Sequence, residues 1–372
     1  MKIVILGLSI TSSWGNGHAT TYRGLVRELV ARGHEILFLE RDQPWYAQNR
    51  DLAHPPYGRT ELYQGLDDLH QRFEAPVQGA DLVIVGSFVP EGVAVGDWAQ
   101  RTAHGITAFY DIDTPVTLAR LGRGEHDYLA PRQIAGYDLY LSFTGGPTLQ
   151  RLEREWGSPR ARVFYCSVDP TLYLHEPQPA SWDLGYMGTY SPDRQPGLDR
   201  LLLQPARELP TGRFVVAGPQ YPAEIGWPAN VQWQPHLPPS EHRAFYNRQR
   251  WTLNITRADM IEAGWSPSVR LFEAAACGTP IVSDRWRGIE DVLVPGREIV
   301  LADSSAEVLA LLREGGEDER LRMAERARQR ILSAHTAAHR AEQLEAYALE
   351  LGAAGAARGP LPHTTPAEAL QP

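Results

Sequence analysis

At 372 residues the chain is too long for one ordinary domain and suits two, each of about 150 to 200 residues. Its 43% hydrophobic and 22% charged residues exclude a disordered or fibrous protein, and a net charge of −9 argues against a nucleic-acid binder, whose footprint is basic. Two cysteines, Cys166 and Cys277, cannot form a disulfide framework or a four-ligand zinc site, so a reducing compartment and no metal are expected.

In chain order, Ile3–Leu6 is a short apolar run of the kind buried in a parallel sheet, followed by Gly15, Asn16, Gly17 and His18. Tyr22, Leu25, Val26, Leu29 and Val30 then keep helical spacing until Gly33 stops them. Strands are predicted over 35–40, 81–86, 105–110, 139–143 and 162–167, with helices over 93–102 and 147–156. The apolar opening is short, β-branched and lacks a small-residue cleavage site, so it is read as a strand of a cytoplasmic protein and not as a signal peptide. Three prolines among residues 169–183 mark a linker. A second alternation runs through 184–188, 213–218, 251–256, the helix 268–276 and the strand 281–283. The reading is α/β with two doubly wound domains, 1–170 and 171–350, the second closed by charged helices over 318–349. Residues 351–372 hold small and turn-forming residues with little to bury, and are expected to be a disordered tail.

The best-marked helix is the one in GWSPSVRLFEAAACGTP: Ser266 suits the N-cap, Pro267 the first turn, and Gly278 with Pro280 the end. Spacings of four and three place Ser266, Arg270 and Glu273 on one face. Free amides at a helix start with an arginine one turn in can hold a diphosphate, and Glu273 can accept two ribose hydroxyls. The same residues also fit an ordinary amphipathic helix with a solvated Arg–Glu pair.

The run RLFEAAACGTPIVSD resembles the donor helix of two-domain glycosyltransferases with the GT-B fold. With FYDIDTPVTL, SFTGG, YMGTYSPDRQ, RFVVAG and LNITR, the chain resembles the CgeB-like, spore-maturation type over roughly residues 1 to 300. The resemblance implies two Rossmann-like domains facing a cleft, an acceptor held mainly by the first and a nucleoside-diphosphate sugar by the second. It implies Glu273 on the ribose, and Gly188, Arg194, Arg257, Ser266, Ser268 and Arg270 toward the diphosphate, with no metal or other cofactor. Related enzymes commonly carry a second glutamate eight residues before the ribose-binding one; here that position is Trp265, which is expected to line the donor site.

On the acceptor side, Asp111 and Asp113 lie at a strand's carboxyl end, where crevices of open α/β sheets form, and either can serve as a base. One of them can equally cap the segment that turns at Thr114 and Pro115. His18 is a further base candidate, beside the acceptor-side loop Gly15, Asn16 and Gly17. A metal-binding Asp-Ile-Asp pair would leave the second domain unexplained, and a dinucleotide fingerprint with Glu40 as the ribose acid fails because Thr20 stands where the third glycine belongs. The function expected is metal-independent transfer of a sugar to an unidentified glycan, small molecule or protein, by an enzyme with no membrane segment and no nucleic-acid partner. A nucleotide-sugar epimerase and a non-catalytic nucleotide-sugar-binding assembly protein are the alternatives.

Overall fold

The computed structural model describes residues 1–15 and 17–358, with side chains through residue 352. The first sheet contains β1 (Lys2–Gly7), β2 (Glu35–Arg41), β3 (Arg59–Tyr63), β4 (Leu82–Gly86), β5 (Ile106–Asp111), β6 (Leu139–Ser142) and β7 (Ala161–Val163). Its order is β3-β2-β1-β4-β5-β6-β7, and every pairing is parallel. The second contains β8 (Trp182–Met187), β9 (Phe214–Ala217), β10 (Val231–Gln234), β11 (Gln249–Asn254), β12 (Ile281–Ser283) and β13 (Val300–Leu301). These run β10-β9-β8-β11-β12-β13, again all parallel.

Helices cover both faces of such sheets, so central strands must be apolar on both sides. Accordingly β4 (LVIVG) and β9 (FVVA) are buried at every position. In each sheet the strand order reverses once, between β1 and β4 and between β8 and β11. Ligand crevices open outside the carboxyl ends of strands at such reversals. The two domains turn these crevices toward each other, as the lining of their shared cleft shows.

The chain crosses between the domains twice. It leaves β7 for β8, and it returns in the helix Ala337–Arg358, which lies against the helix His18–Ala31 and buries Ala341 and Leu344 in one core with Ile3, Ile5, Leu25 and Leu29. This corrects the expected division. Residues 337–350 belong to the first domain's core, and the helix continues through Arg358 where a structureless tail was expected from 351. Residues 359–372, the rest of that expected tail, lie outside the described residues. The two crossings are joined: Val168 N donates to His335 O at 3.0 Å and Ala337 N to Val168 O at 2.9 Å. Arg340, buried beside them, donates through Nε to Tyr165 O at 2.9 Å and through Nη2 to His335 Nδ1 at 2.7 Å. Burial, with Arg340 adding repulsion, pushes the His335 imidazole down to about 3, so the ring is neutral and accepts.

A second junction lies beside the helix Thr114–Gly122, which packs on the helix Ala258–Ala263. There Gly145 N donates to Trp265 O at 2.9 Å, and the Thr144 and Ser266 hydroxyls share a buried 2.9 Å hydrogen bond.

Candidate active site

The cleft between the domains has a volume of about 530 Å³. Its donor wall begins at Gly188, one residue past β8. A Cβ at Gly188 would lie 2.5 Å from Tyr186 Oη and 3.0 Å from Arg270 Nη2, so only glycine lets the backbone pass the guanidinium this closely. Arg270 is buried and held on three sides: Nε donates to Met187 O at 2.7 Å, Nη1 donates to Asn254 Oδ1 at 2.7 Å, and the fork lies 4.8 Å from the Tyr186 ring centroid. No carboxylate neutralises it by an ion pair among the described residues, so its charge is available to the cleft.

The helix Val269–Ala276 starts later than its sequence predicts. Ser268, with φ −75° and ψ 152°, occupies the N-cap; its hydroxyl caps no amide and donates to Asn254 Oδ1 at 2.7 Å. Ser268 and Val269 line the cleft, so the first-turn amides open toward it. Ser266 does not reach the cleft: it is fully buried against Thr144. Trp265 is also displaced from its expected place. At φ 46° it fits against Gly146 and Gly288, where a Cβ would come within 2.5 and 2.3 Å of the indole, and its Nε1 donates to Asp291 at 2.8 Å. Trp265 and Ser266 therefore join the domains and do not line the cleft; a bulky indole fills the room that only glycines leave.

Glu273 faces the cleft from the same helix and is 4% exposed. Burial pushes its carboxyl up to about 7, against the pull of the Tyr173 and Tyr246 hydroxyls and of Arg270. The solvated Arg270–Glu273 pair does not form, because both side chains are buried and turned to the cleft. Arg194 lines the cleft, with Nε donating to Ser191 Oγ at 2.9 Å and Nη2 to Thr189 O at 2.5 Å. Arg257 follows β11 at the start of the helix Ala258–Ala263 and lines the same space. The wall thus presents Arg194, Arg257, Arg270 and a helix start to the same cleft, groups of the kind that hold anions.

On the facing wall His18 opens the helix His18–Ala31, and its Nε2 stands 3.8 Å from Asp113 Oδ2. Among the described residues the buried His18 Nδ1 has no hydrogen-bond partner. Gly15, with φ 64°, and Gly17 also line the cleft, while Asn16 lies outside the described residues. Asp113 sits at the N-cap of the helix Thr114–Gly122 without capping it, which leaves its carboxylate to the cleft. Asp111 is different. It is fully buried, accepts Tyr140 Oη at 2.6 Å, Thr117 Oγ1 at 2.8 Å and Asp113 N at 3.2 Å, and does not line the cleft. Burial pushes its carboxyl up to about 6. Asp111 thus lies behind Asp113, tied to its backbone and away from the cleft.

Sequence reasoning missed Tyr173, Tyr246, Asn254 and His242. Each is an ordinary core-like residue in its own segment and becomes part of the site only through tertiary packing: His242 Nε2 bonds Leu237 O at 3.1 Å, fixing a turn whose His236 and Leu237 line the cleft. Burial drives the His242 imidazole down to about 4.

Residues 194–346 match the glycosyl transferase-like family. Solved structures match 94–95% of the chain. The fold is that of a GT-B glycosyltransferase. HepE from Anabaena, solved in complex with UDP and glucose, matches with a TM-score of 0.71 at 14% identity, covering 94% of this chain and 100% of that one. Sucrose-phosphate synthase from Thermosynechococcus elongatus gives 0.67 at 14% identity, with 95% and 100% covered. An alpha-glucosyltransferase in complex with UDP gives 0.69 at 12%, with 94% and 100% covered. No curated protein sequence matches the chain. Among the described residues no helix of this GT-B chain is long and apolar enough to cross a membrane.

Proposed function

We propose that this GT-B glycosyltransferase moves a sugar from a uridine-diphosphate donor to an acceptor hydroxyl in the interdomain cleft, and that it stands among the CgeB-like enzymes. One observation carries the reading: Arg194, Arg257, Arg270 and a helix start converge on the cleft wall that also holds Glu273, and the His18–Asp113 pair faces them across the same space. The choice of uridine rests on the UDP-bound neighbours. The sequence segments YMGTY, RFVVAG and RLFEAAACGTP support the CgeB-like placement. Its two cysteines are free thiols, in keeping with a cytoplasmic protein.

In this reading Glu273 accepts the ribose hydroxyls, and the three guanidinium groups with the amides at Ser268 and Val269 hold the diphosphate. The bond from the sugar's anomeric carbon to the diphosphate oxygen breaks, and UDP leaves with the bonding pair. An acceptor oxygen bonds the anomeric carbon. Its proton passes to the His18 imidazole, and Asp113, whose carboxylate lies 3.8 Å from Nε2, stabilises the imidazolium that forms. Preorganised cationic groups meet the charge that grows on the departing UDP, so the reading requires no metal.

The test is calorimetry and thermal shift with UDP, GDP, dTDP, CMP and NAD, followed by UDP release from UDP-sugars. UDP at a hundred times its dissociation constant is expected to add about 2.7 kcal/mol of stability. Stabilisation by NAD alone, or by no nucleotide, overturns the reading.

A further inference from the structure

The loop after β1 carries an exposed indole that the reaction above leaves unused. Glu40, at the end of β2, is fully buried, and its carboxylate accepts Ile10 N at 2.7 Å, Thr11 N at 3.0 Å, Thr11 Oγ1 at 2.6 Å and Ser9 Oγ at 3.0 Å. It is therefore an internal brace of this loop. The loop's outer side is tied as well: Ser12 Oγ donates to Asn49 O at 2.7 Å, Leu52 N to Thr11 O at 3.0 Å, and Ser13 N to Asp51 at 2.8 Å. Asp51 in turn takes both ends of the Arg23 fork, at 2.8 and 2.9 Å, which with the Ser13 bonds holds its carboxyl down at about 2.

Immediately beyond this braced stretch stands Trp14, 44% exposed, between Ser13 and Gly15, both of which line the cleft. Trp45, 49% exposed, sits on the helix Pro44–Ala47 and is linked to the same cluster through Asn49 Nδ2, which donates to Trp45 O at 2.7 Å. Isolated exposed apolar residues are common on protein surfaces. Two indoles on one cross-linked cluster, one of them at the rim of a catalytic cleft, are a different arrangement. A rigid indole beside fixed polar groups matches a sugar ring, whose C–H face stacks on the aromatic plane while its hydroxyls bond at the edge. The bonds among Ser13, Asp51 and Arg23 fix the loop that presents the Trp14 indole.

We propose that the acceptor is a saccharide, that Trp14 is the platform on which its accepting sugar stacks, and that Trp45 contacts the outer sugars of a longer acceptor. The inference rests on the transferase reading above. It is tested with the full chain, UDP-glucose as donor, and glucose, N-acetylglucosamine, cellobiose and maltotriose as acceptors, alongside a glycan array probed with the UDP-loaded protein. Trp14→Ala is expected to raise the acceptor KM about tenfold, with kcat and the Kd for UDP unchanged, and Trp14→Phe to recover much of the loss. Trp45→Ala is expected to raise KM for maltotriose and not for glucose. An unchanged saccharide KM in Trp14→Ala overturns the proposal, as does an array with no bound glycan while UDP still binds. Failure to bind UDP at all removes the transferase reading itself, so calorimetry separates the two failures.

Discussion

The hydroxyl of Tyr246 donates to Glu273 Oε2 at 3.2 Å inside the donor wall. The carboxyl it meets is pushed from an ordinary 4.5 up to about 7 by burial. A raised carboxyl favours the proton-bound folded state, so the contribution of Glu273 to the stability of the empty protein falls by about 3 kcal/mol as pH rises through this window. Thermal unfolding of the ligand-free protein and of Glu273→Gln between pH 5 and 8 is expected to show this fall as the difference between the two curves, because Asp111, His242 and His335 contribute alike to both. Ribose hydroxyls donate to the ionised carboxylate, so UDP binding below pH 7 is expected to release a proton. Calorimetry in buffers of different ionisation enthalpy measures that release; none would remove Glu273 from the ribose.

Replacing His18 by Ala is expected to lower kcat by about a hundredfold to ten-thousandfold, the contribution typical of a positioned base, with the Kd for UDP unchanged. Asp113→Asn keeps the shape, removes the charge near the imidazole and is expected to cost less. Steady-state transfer rates beside UDP calorimetry check both; a His18→Ala enzyme with full kcat would move the base elsewhere.

Gly188→Ala pushes a methyl against Tyr186 Oη and Arg270 Nη2, at 2.5 and 3.0 Å. UDP affinity is expected to fall about tenfold or more in this variant, and further in Arg270→Ala, because a charge-assisted contact contributes about 1.5–3 kcal/mol. Asn254→Ala frees the Arg270 fork and Ser268 together, and is expected to weaken UDP binding without touching the ligand. Titration of UDP into the three variants orders these effects.

Among the described residues the hydroxyls of Thr144 and Ser266 bond only each other, across the domain junction. Thr144→Val leaves the Ser266 hydroxyl buried and is expected to cost about 1–3 kcal/mol. Adding Ser266→Ala removes the stranded group, so the double variant is expected to cost less than the sum of the singles. Denaturant unfolding of the four proteins gives the coupling energy.

Central strands were legible in the sequence because burial on both faces forces continuous apolar runs, as in β4 and β9. Edge strands escaped for the complementary reason: β3 (RTELY) and β10 (VQWQ) keep exposed or half-buried positions and carry no such run. Glu273 and the three arginines were readable from helix spacing and strand ends together with the family resemblance. The division of labour between Asp111 and Asp113 was not. Both occupy one strand end, and only the positions of Tyr140 and Thr117 decide that Asp111 turns inward. Trp265 misled for a related reason: local sequence puts it beside the donor helix, while Gly146, 119 positions earlier, supplies the space that receives it.

The paired crossings at Val168 and Ala337 have a mechanical consequence. Two chain segments hydrogen-bonded side by side, with the second junction at Thr144 and Trp265, tie the domains in two places and resist twisting and sliding better than one covalent link would. The arginine wall is thereby kept opposite His18 by the chain's own path, so little orientational freedom is left to be lost when both substrates are bound.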